Sequence, residues 1–161
     1  MEIELQQKHD TQAVENLLDM AFGKDRFSKA TYGLREGVDA LSELSFVMRD
    51  QNKLVASLRF WPILIGKNPA LLLGPIAVIT EYQGQGHGLK LMKEGLDVAK
   101  SLGHLRVVLV GDEVFYKRAG FERSLATRLI FPKQKDQNRI LACELKSGAF
   151  KNIAGKIQSV K

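Results

Sequence analysis

Between an apolar run and an amphipathic segment the chain reads "QGQGHGL" (Gln83 to Leu89), with glycines at Gly84, Gly86 and Gly88. Glycine lets a backbone approach a ligand closely and adopt conformations that other residues resist. Where a strand leads into such a loop and a helix begins, the first-turn amides have no partner inside the helix, and the helix dipole favours negative charge there. Ordering three glycines costs conformational entropy, which close backbone contact with a ligand offsets and an empty turn does not. The stretch is therefore expected to cradle a phosphate. Its spacing decides which kind. A P-loop needs Gly-Lys followed by Ser or Thr after four intervening residues, and Gly88-Leu89-Lys90 does not supply that. The dinucleotide fingerprint G-x-G-x-x-G is a nearer rival, because Asp112 follows the next strand about where a ribose-binding acid would stand. That fingerprint begins as its strand ends, whereas here G-x-G-x-G comes only after Thr80 to Gln83, and too little chain follows for two nucleotide-binding halves. The dinucleotide reading is the weaker one.

The elements that must hold the loop are read from periodicity. "EIEL" alternates as a short strand, and Val14, Leu17, Leu18, Ala21 and Phe22 recur at helical spacing behind an Asp10/Thr11 cap. A second, less regular helical piece runs through "SKATYGL", with Gly37 marking a break. "LSFVMR", "KLVASLRFWPILI" and "LLLGPIAVI" (Leu71 to Ile79) are β-rich runs joined by the turns "DQN" and "GKNP", which predicts a three-stranded meander. Gly74 and Pro75 lie inside the third run, and proline cannot donate to a ladder, so a bulge or a splayed strand is expected there. After the glycine loop, Leu89, Met92, Leu96 and Ala99 form one apolar row of a helix that Gly103 closes. "RVVLV" (Arg106 to Val110) is then a buried strand, which makes a β-loop-α-β unit. A further helix around "EVFYKRAG" and strands near "TRLIF" and "ILACEL" complete the pattern. The fold class expected is α/β: residues 1–161 as a single domain with a central mixed, mostly antiparallel sheet flanked by helices.

On these residues the chain resembles the GNAT superfamily of N-acetyltransferases. Gln83, Gly86 and Gly88 stand at the defining positions of its Gln/Arg-x-x-Gly-x-Gly/Ala pattern. "GPIAV" resembles the family's fourth strand, and "GDEVFYKRAGF" (Gly111 to Phe121) its later Tyr-x-Lys/Arg-x-Gly-Phe motif. The motifs span about Leu73 to Phe121, with Thr80 where many relatives carry proline and Ala119 where an aromatic residue is common. The resemblance implies acetyl-coenzyme A as acetyl donor, no metal, and transfer to an amine by direct attack. It implies that backbone amides over Gln83, Gly84, Gln85, Gly86, His87, Gly88 and Leu89 bind the pyrophosphate, and that Ile76, Ala77 and Val78 hydrogen-bond the pantetheine arm. It also implies Tyr116 as the catalytic acid. A thiolate with a pKa near that of cysteine, about 8.5, can take a proton from a tyrosine near 10.

The acceptor amine must be neutral to attack, and no base stands out. Glu81, Asp112, Glu36, Asp39 and Glu43 read equally well as surface groups or caps, and His9 and His104 as surface or packing residues. Lys90, Lys93 and Arg118 would attract phosphates but fit an exposed helix face as well, and are left outside the site. The single cysteine, Cys143, lies in an apolar strand and reads as a buried thiol with no chemistry.

Composition sets the outer bounds. A chain of 161 residues with 45% hydrophobic and 26% charged residues fits one globular core. Its net charge of +6 suits a polyanion, but the basic residues are scattered and no nucleic-acid signature accompanies them, so no nucleic-acid partner is expected. The charged start "MEIELQQKHD" lacks a signal-peptide core and no apolar run is long enough for a membrane span, which predicts a cytoplasmic protein acting off the membrane as monomer or homodimer. The partner expected is an amine-bearing small molecule or protein. The alternative is a non-catalytic coenzyme A binding or sensing module that keeps the loop without an acceptor site.

Overall fold

A computed structural model describes residues 1–161. Eight strands and four helices follow one another: β1 (Glu2–Leu5), α1 (Thr11–Phe22), α2 (Ala30–Arg35), β2 (Ser45–Asp50), β3 (Lys53–Ile65), β4 (Asn68–Val78), α3 (His87–Ser101), β5 (Arg106–Val110), α4 (Glu113–Tyr116), β6 (Leu129–Ile130), β7 (Ile140–Glu144) and β8 (Gly155–Ser159). The main sheet runs β1-β2-β3-β4-β5-β7 and is antiparallel except where β4 and β5 run parallel. The connection between that parallel pair contains the glycine loop and α3.

Period-2 alternation sorts the side chains onto two faces. Phe46, Met48, Leu58, Phe60, Leu71 and Leu73 point to the face covered by Leu91, Met92, Leu96 and Ala99 of α3. Their sequence neighbours point the other way: Val47 and Ala77 meet Val14, Leu17 and Leu18 of α1, while Leu72 and Val108 meet Leu34 of α2 and the C-terminal segment. Gly95 lets α3 lie this close, since a Cβ there would come within 2.8 Å of the Phe60 ring. No helix is long and apolar enough to cross a membrane.

The meander and the β-loop-α-β unit form as expected, and so does the irregularity at Gly74-Pro75. Leu58 faces Ile76 and Phe60 faces Leu73, so Gly74 and Pro75 bulge out opposite Arg59. Other expectations are corrected. Asp10 does not cap α1: its carboxylate accepts from the Gln7 backbone N–H at 2.8 Å and from Arg49 Nη2 at 2.6 Å, closing the short turn before the helix. The helix around "EVFYKRAG" is one α turn continued by a 3-10 turn, Lys117–Ala119, and ended by Gly120 at φ +96°. "TRLIF" shrinks to the two-residue β6, which pairs with β8 instead of the main sheet. Strand β8 itself carries no sequence signal, because only Ile157 of its five residues is buried.

Candidate active site

Strand β4 pairs with β3 as far as Val78, but with β5 only at Leu71 and Leu72. Beyond Leu72 the β5-facing edge of β4 is open, and the two strands diverge around a gap. One end of the gap is closed by the glycine loop. Gly84 and Gly86 take φ +75° and +84°, left-handed conformations that explain glycine there. Gly86 is the N-cap of α3 and no side chain caps the helix. The backbone N–H groups of residues 84–89 donate to no other group of the protein, the first such donor being Lys90 N to Gly86 O at 3.0 Å. Gln83 ties the loop back to the strand, its Nε2 donating to Val78 O at 2.9 Å. Unpaired amides at a 15-residue helix start, facing an open strand edge, form an anion site beside a slot for an extended chain.

A cavity of about 390 Å³ lies along this edge. Ile76, Val78, Gln83, Gly84 and Gly86 line it, as do His87, Gly88, Leu89 and Tyr116. Ala77 and Gln85, expected to act through their backbones, keep them on this edge and in this loop: the Ala77 side chain points to α1, and the exposed Gln85 side chain donates to Glu81 O at 3.3 Å. Arg118, left out of the site on sequence grounds, lines the cavity with Phe115 and Tyr82. It is exposed at the cavity rim, and its guanidinium sits 5.8 Å over the Phe115 ring.

Tyr116 stands in the strand gap. Asp112 caps α4 by accepting from Val114 N at 3.1 Å, and Gly111 leaves just enough room for the ring. Phe115 and Phe121 pack edge-on against it, with centroids 4.9 and 6.3 Å away. The hydroxyl has no hydrogen-bond partner in the protein, and burial raises its pKa above the ordinary tyrosine value although Arg139 opposes the shift. It is a protonated donor at neutral pH. The ring also lines a second cavity of about 140 Å³, on the other side of the gap, with Leu73, Pro75 and Arg35.

That smaller space adjoins a larger one of about 470 Å³ between α1, α2 and the β4 bulge, since Tyr32, Arg35 and Pro75 line both. Sequence reasoning missed these walls. Glu15 lies between Arg26 and Arg59, accepting from Arg59 Nη1 at 3.1 Å, and Arg26 also reaches Asp19 at 3.1 Å. Although burial works against its charge, hydrogen bonds from Arg26 and Arg59 hold the Glu15 carboxyl below its usual range. It is no proton acceptor. Glu36 lines the same space, is exposed, and has no arginine partner. Asp39, Glu43 and Glu81 line neither of these two spaces.

Arg35 is the anomaly. It is 7% exposed, its Nε and Nη1 have no hydrogen-bond partner, and its guanidinium lies 4.7 Å over the Tyr32 ring and 5.4 Å over the Trp61 ring. Burial pushes its pKa down to about 10, with the Tyr32 phenol the largest opposing influence and Arg59 and Arg26 adding to the fall. Aromatic faces return up to about 2 kcal/mol to a desolvated cation, less than the several kcal/mol that removing the ion from water costs. No group of the protein compensates that difference.

An open β4 edge, a glycine loop of free amides and a tyrosine in the strand gap define the acyl-coenzyme A-dependent acetyltransferase fold, and the chain belongs to the GNAT acetyltransferase family. The family's acetyltransferase (GNAT) domain matches residues 42–123. The chain is 33% identical over 116 residues to the uncharacterized N-acetyltransferase YhbS of Escherichia coli K12, which covers 70% of this chain and 68% of that protein. The crystal structure of Escherichia coli YhbS in complex with CoA superposes with a TM-score of 0.82 at 26% identity, over 98% of this chain and 88% of that one. A GNAT family acetyltransferase from Brucella melitensis, solved with acetyl-CoA, shares the fold with a TM-score of 0.74 at 24% identity, over 98% and 94% of the two chains. The protein is thus an acetyl-CoA-dependent acyltransferase by family.

Proposed function

We propose that residues 1–161 act as one domain that moves an acetyl group from acetyl-CoA to a primary amine of a small molecule or protein by direct attack. The observation that supports it best is the row of free amides at residues 84–89 facing the open edge of β4, with the unpartnered Tyr116 hydroxyl between that cavity and the acceptor-side one. Bound acetyl-CoA supplies a thioester, whose carbonyl carbon takes the amine and whose sulfur leaves. The amides of Gly84 to Leu89 hold the pyrophosphate, the open edge at Ile76 to Val78 takes the pantetheine amides, and Arg118 adds positive charge. Two similar proteins were solved with CoA and with acetyl-CoA, which supports coenzyme A as the ligand.

Tyr116 donates the proton that the departing sulfur requires. Its raised pKa keeps it protonated through neutral pH and so able to donate; because the thiol is the stronger acid of the pair, the phenolate left behind is reprotonated from solvent to complete the step. No Asp, Glu or His side chain lines the smaller acceptor-side space. The proton of the incoming ammonium therefore leaves through water toward the larger space, where Glu36 is the carboxylate without an arginine partner.

Two measurements test the proposal. Acetyl-CoA binds only the folded state, so its titration should raise the melting temperature. Thiol release over a panel of amines should then identify an acceptor, and Tyr116→Phe should lower kcat by about 10²- to 10⁴-fold while leaving the acetyl-CoA melting shift in place. A melting shift without thiol release from any amine would favour the non-catalytic binding module. No shift at saturating ligand would falsify the donor site.

A further inference from the structure

The unpaired guanidinium of Arg35 at the junction of the two acceptor-side spaces carries a statement about the acceptor. We propose that the acceptor is an amino acid: an amine bearing a nearby carboxylate, which Arg35 anchors so that the amino group is presented toward Tyr116. This deepens the acetyltransferase reading and rests on its assignment of the acceptor side.

Four observations converge. Arg35 is more than nine-tenths buried, with two guanidinium nitrogens that no protein atom satisfies. Buried arginines are ordinarily matched to a carboxylate, whose two oxygens fit the guanidinium fork. No carboxylate of the chain reaches it: Glu15 and Asp19 are taken by Arg26 and Arg59, and Glu36, exposed on the rim of the larger space, makes no ion pair with it. Arg35 lines both spaces, and it shares the smaller one, about 140 Å³, with Tyr116. The short reach within that space limits how far the anion can stand from the amine. The remainder of the acceptor extends into the larger space, where the rings of Phe27, Tyr32 and Trp61 stand beside the Glu15, Arg26 and Arg59 ion pairs.

Chemistry favours the same assignment. A free amino acid's carboxylate stabilises its own ammonium, and pairing that carboxylate with Arg35 removes this influence, so the reactive neutral amine is easier to reach. Polyamines and aminoglycosides would bring more positive charge to an uncompensated guanidinium. A protein N-terminus has an amide where the carboxylate is needed.

Trp61 is the chain's only tryptophan and lies 5.4 Å from the Arg35 guanidinium, so its fluorescence reports occupancy. The test titrates N-acetylglycine, N-acetylalanine and N-acetylphenylalanine against their carboxamides at fixed ionic strength, with wild type and with Arg35→Met. The carboxylates should bind at least tenfold more tightly than the carboxamides, and Arg35→Met should abolish the preference while keeping the acetyl-CoA melting shift. Equal affinities in wild type, or no carboxylate binding, overturn the proposal. If Arg35→Met does not fold, the carboxylate and carboxamide comparison in wild type decides by itself. Thiol release with free amino acids, their amides and spermidine separates the two readings. Carboxylate-specific binding with no release from any acceptor sinks acetyl transfer and supports the anion site; release from amides or spermidine as fast as from amino acids sinks the amino-acid acceptor and supports acetyl transfer.

Discussion

Gly111→Ala isolates the placement of the Tyr116 hydroxyl from its chemistry. Gly111 has no left-handed backbone to protect, so alanine meets no torsional penalty, only contact. Its Cβ would lie 2.3 Å from Tyr116 Cε2, 2.8 Å from Cδ2 and 3.2 Å from Leu109 Cδ1. Carbon atoms rest about 3.5 Å apart or more, so the ring edge must retreat by about 1.2 Å. Phe115 and Phe121 pack against the same ring, which leaves the cavities as the direction of retreat. A misplacement of about 1 Å in a reacting group costs about 10²-fold in rate, equivalent to about 2.7 kcal/mol of barrier. Steady-state thiol release at saturating acetyl-CoA should therefore fall about 100-fold in kcat. The acetyl-CoA melting shift should persist, since residues 84–89 are untouched, and overpacking should cost about 1–3 kcal/mol in stability. In a Tyr116→Phe background the same alanine should cost little further rate, because the hydroxyl is already gone. An unchanged kcat, or an equal loss in both backgrounds, refutes the claim that Gly111 acts through the position of that hydroxyl.

Gly86→Val places a β-branched residue at φ +84°, where L-residues pay about 1–2 kcal/mol, so acetyl-CoA affinity measured by calorimetry should drop about tenfold. Unaltered affinity removes the loop amides from binding. Acid stability should respond to Asp10. Hydrogen bonds from Arg49 and the Gln7 amide outweigh its desolvation and depress its pKa, so its contribution is present above the unfolded value near 3.9 and lost as pH falls through the folded one. Asp10→Asn should lower the urea midpoint at pH 7, with the gap to wild type narrowing below about pH 4; a gap independent of pH contradicts the pairing.

The donor side was legible in the sequence because its determinants are local. Positive φ at Gly84 and Gly86, an uncapped helix start and a proline-induced bulge all act within a few residues of themselves. Tyr116 was legible through the motif around it. The acceptor side was not, because each of its residues has an ordinary local setting. Arg35 sits in a short helix among residues that look solvated, and it becomes buried only when α2 folds against Trp61 and the bulge of β4. Glu15 and Arg26 meet Arg59 only in three dimensions. Arg118 is exposed, as a helix face implied, and that it also lines the cavity depends on the turn from α4 into Lys117–Ala119, which a 3.6-residue period read across "EVFYKRAG" does not show. Strand β8 was invisible because its alternation is carried by one buried isoleucine.

The order of these parts along the chain matters for how the protein can change. The family's domain match begins at residue 42, and everything proposed to handle the donor lies inside it, whereas Glu15, Arg26, Tyr32 and Arg35 all come before it. The two sides meet through one strand, with Pro75 of β4 turned to the acceptor and Val78 to the donor. On the proposed acceptor assignment, residues 11–36 form an address label read against Arg59, Trp61 and Pro75 of the sheet: substitutions there would redirect the acetyl group to another amine with the donor loop unchanged.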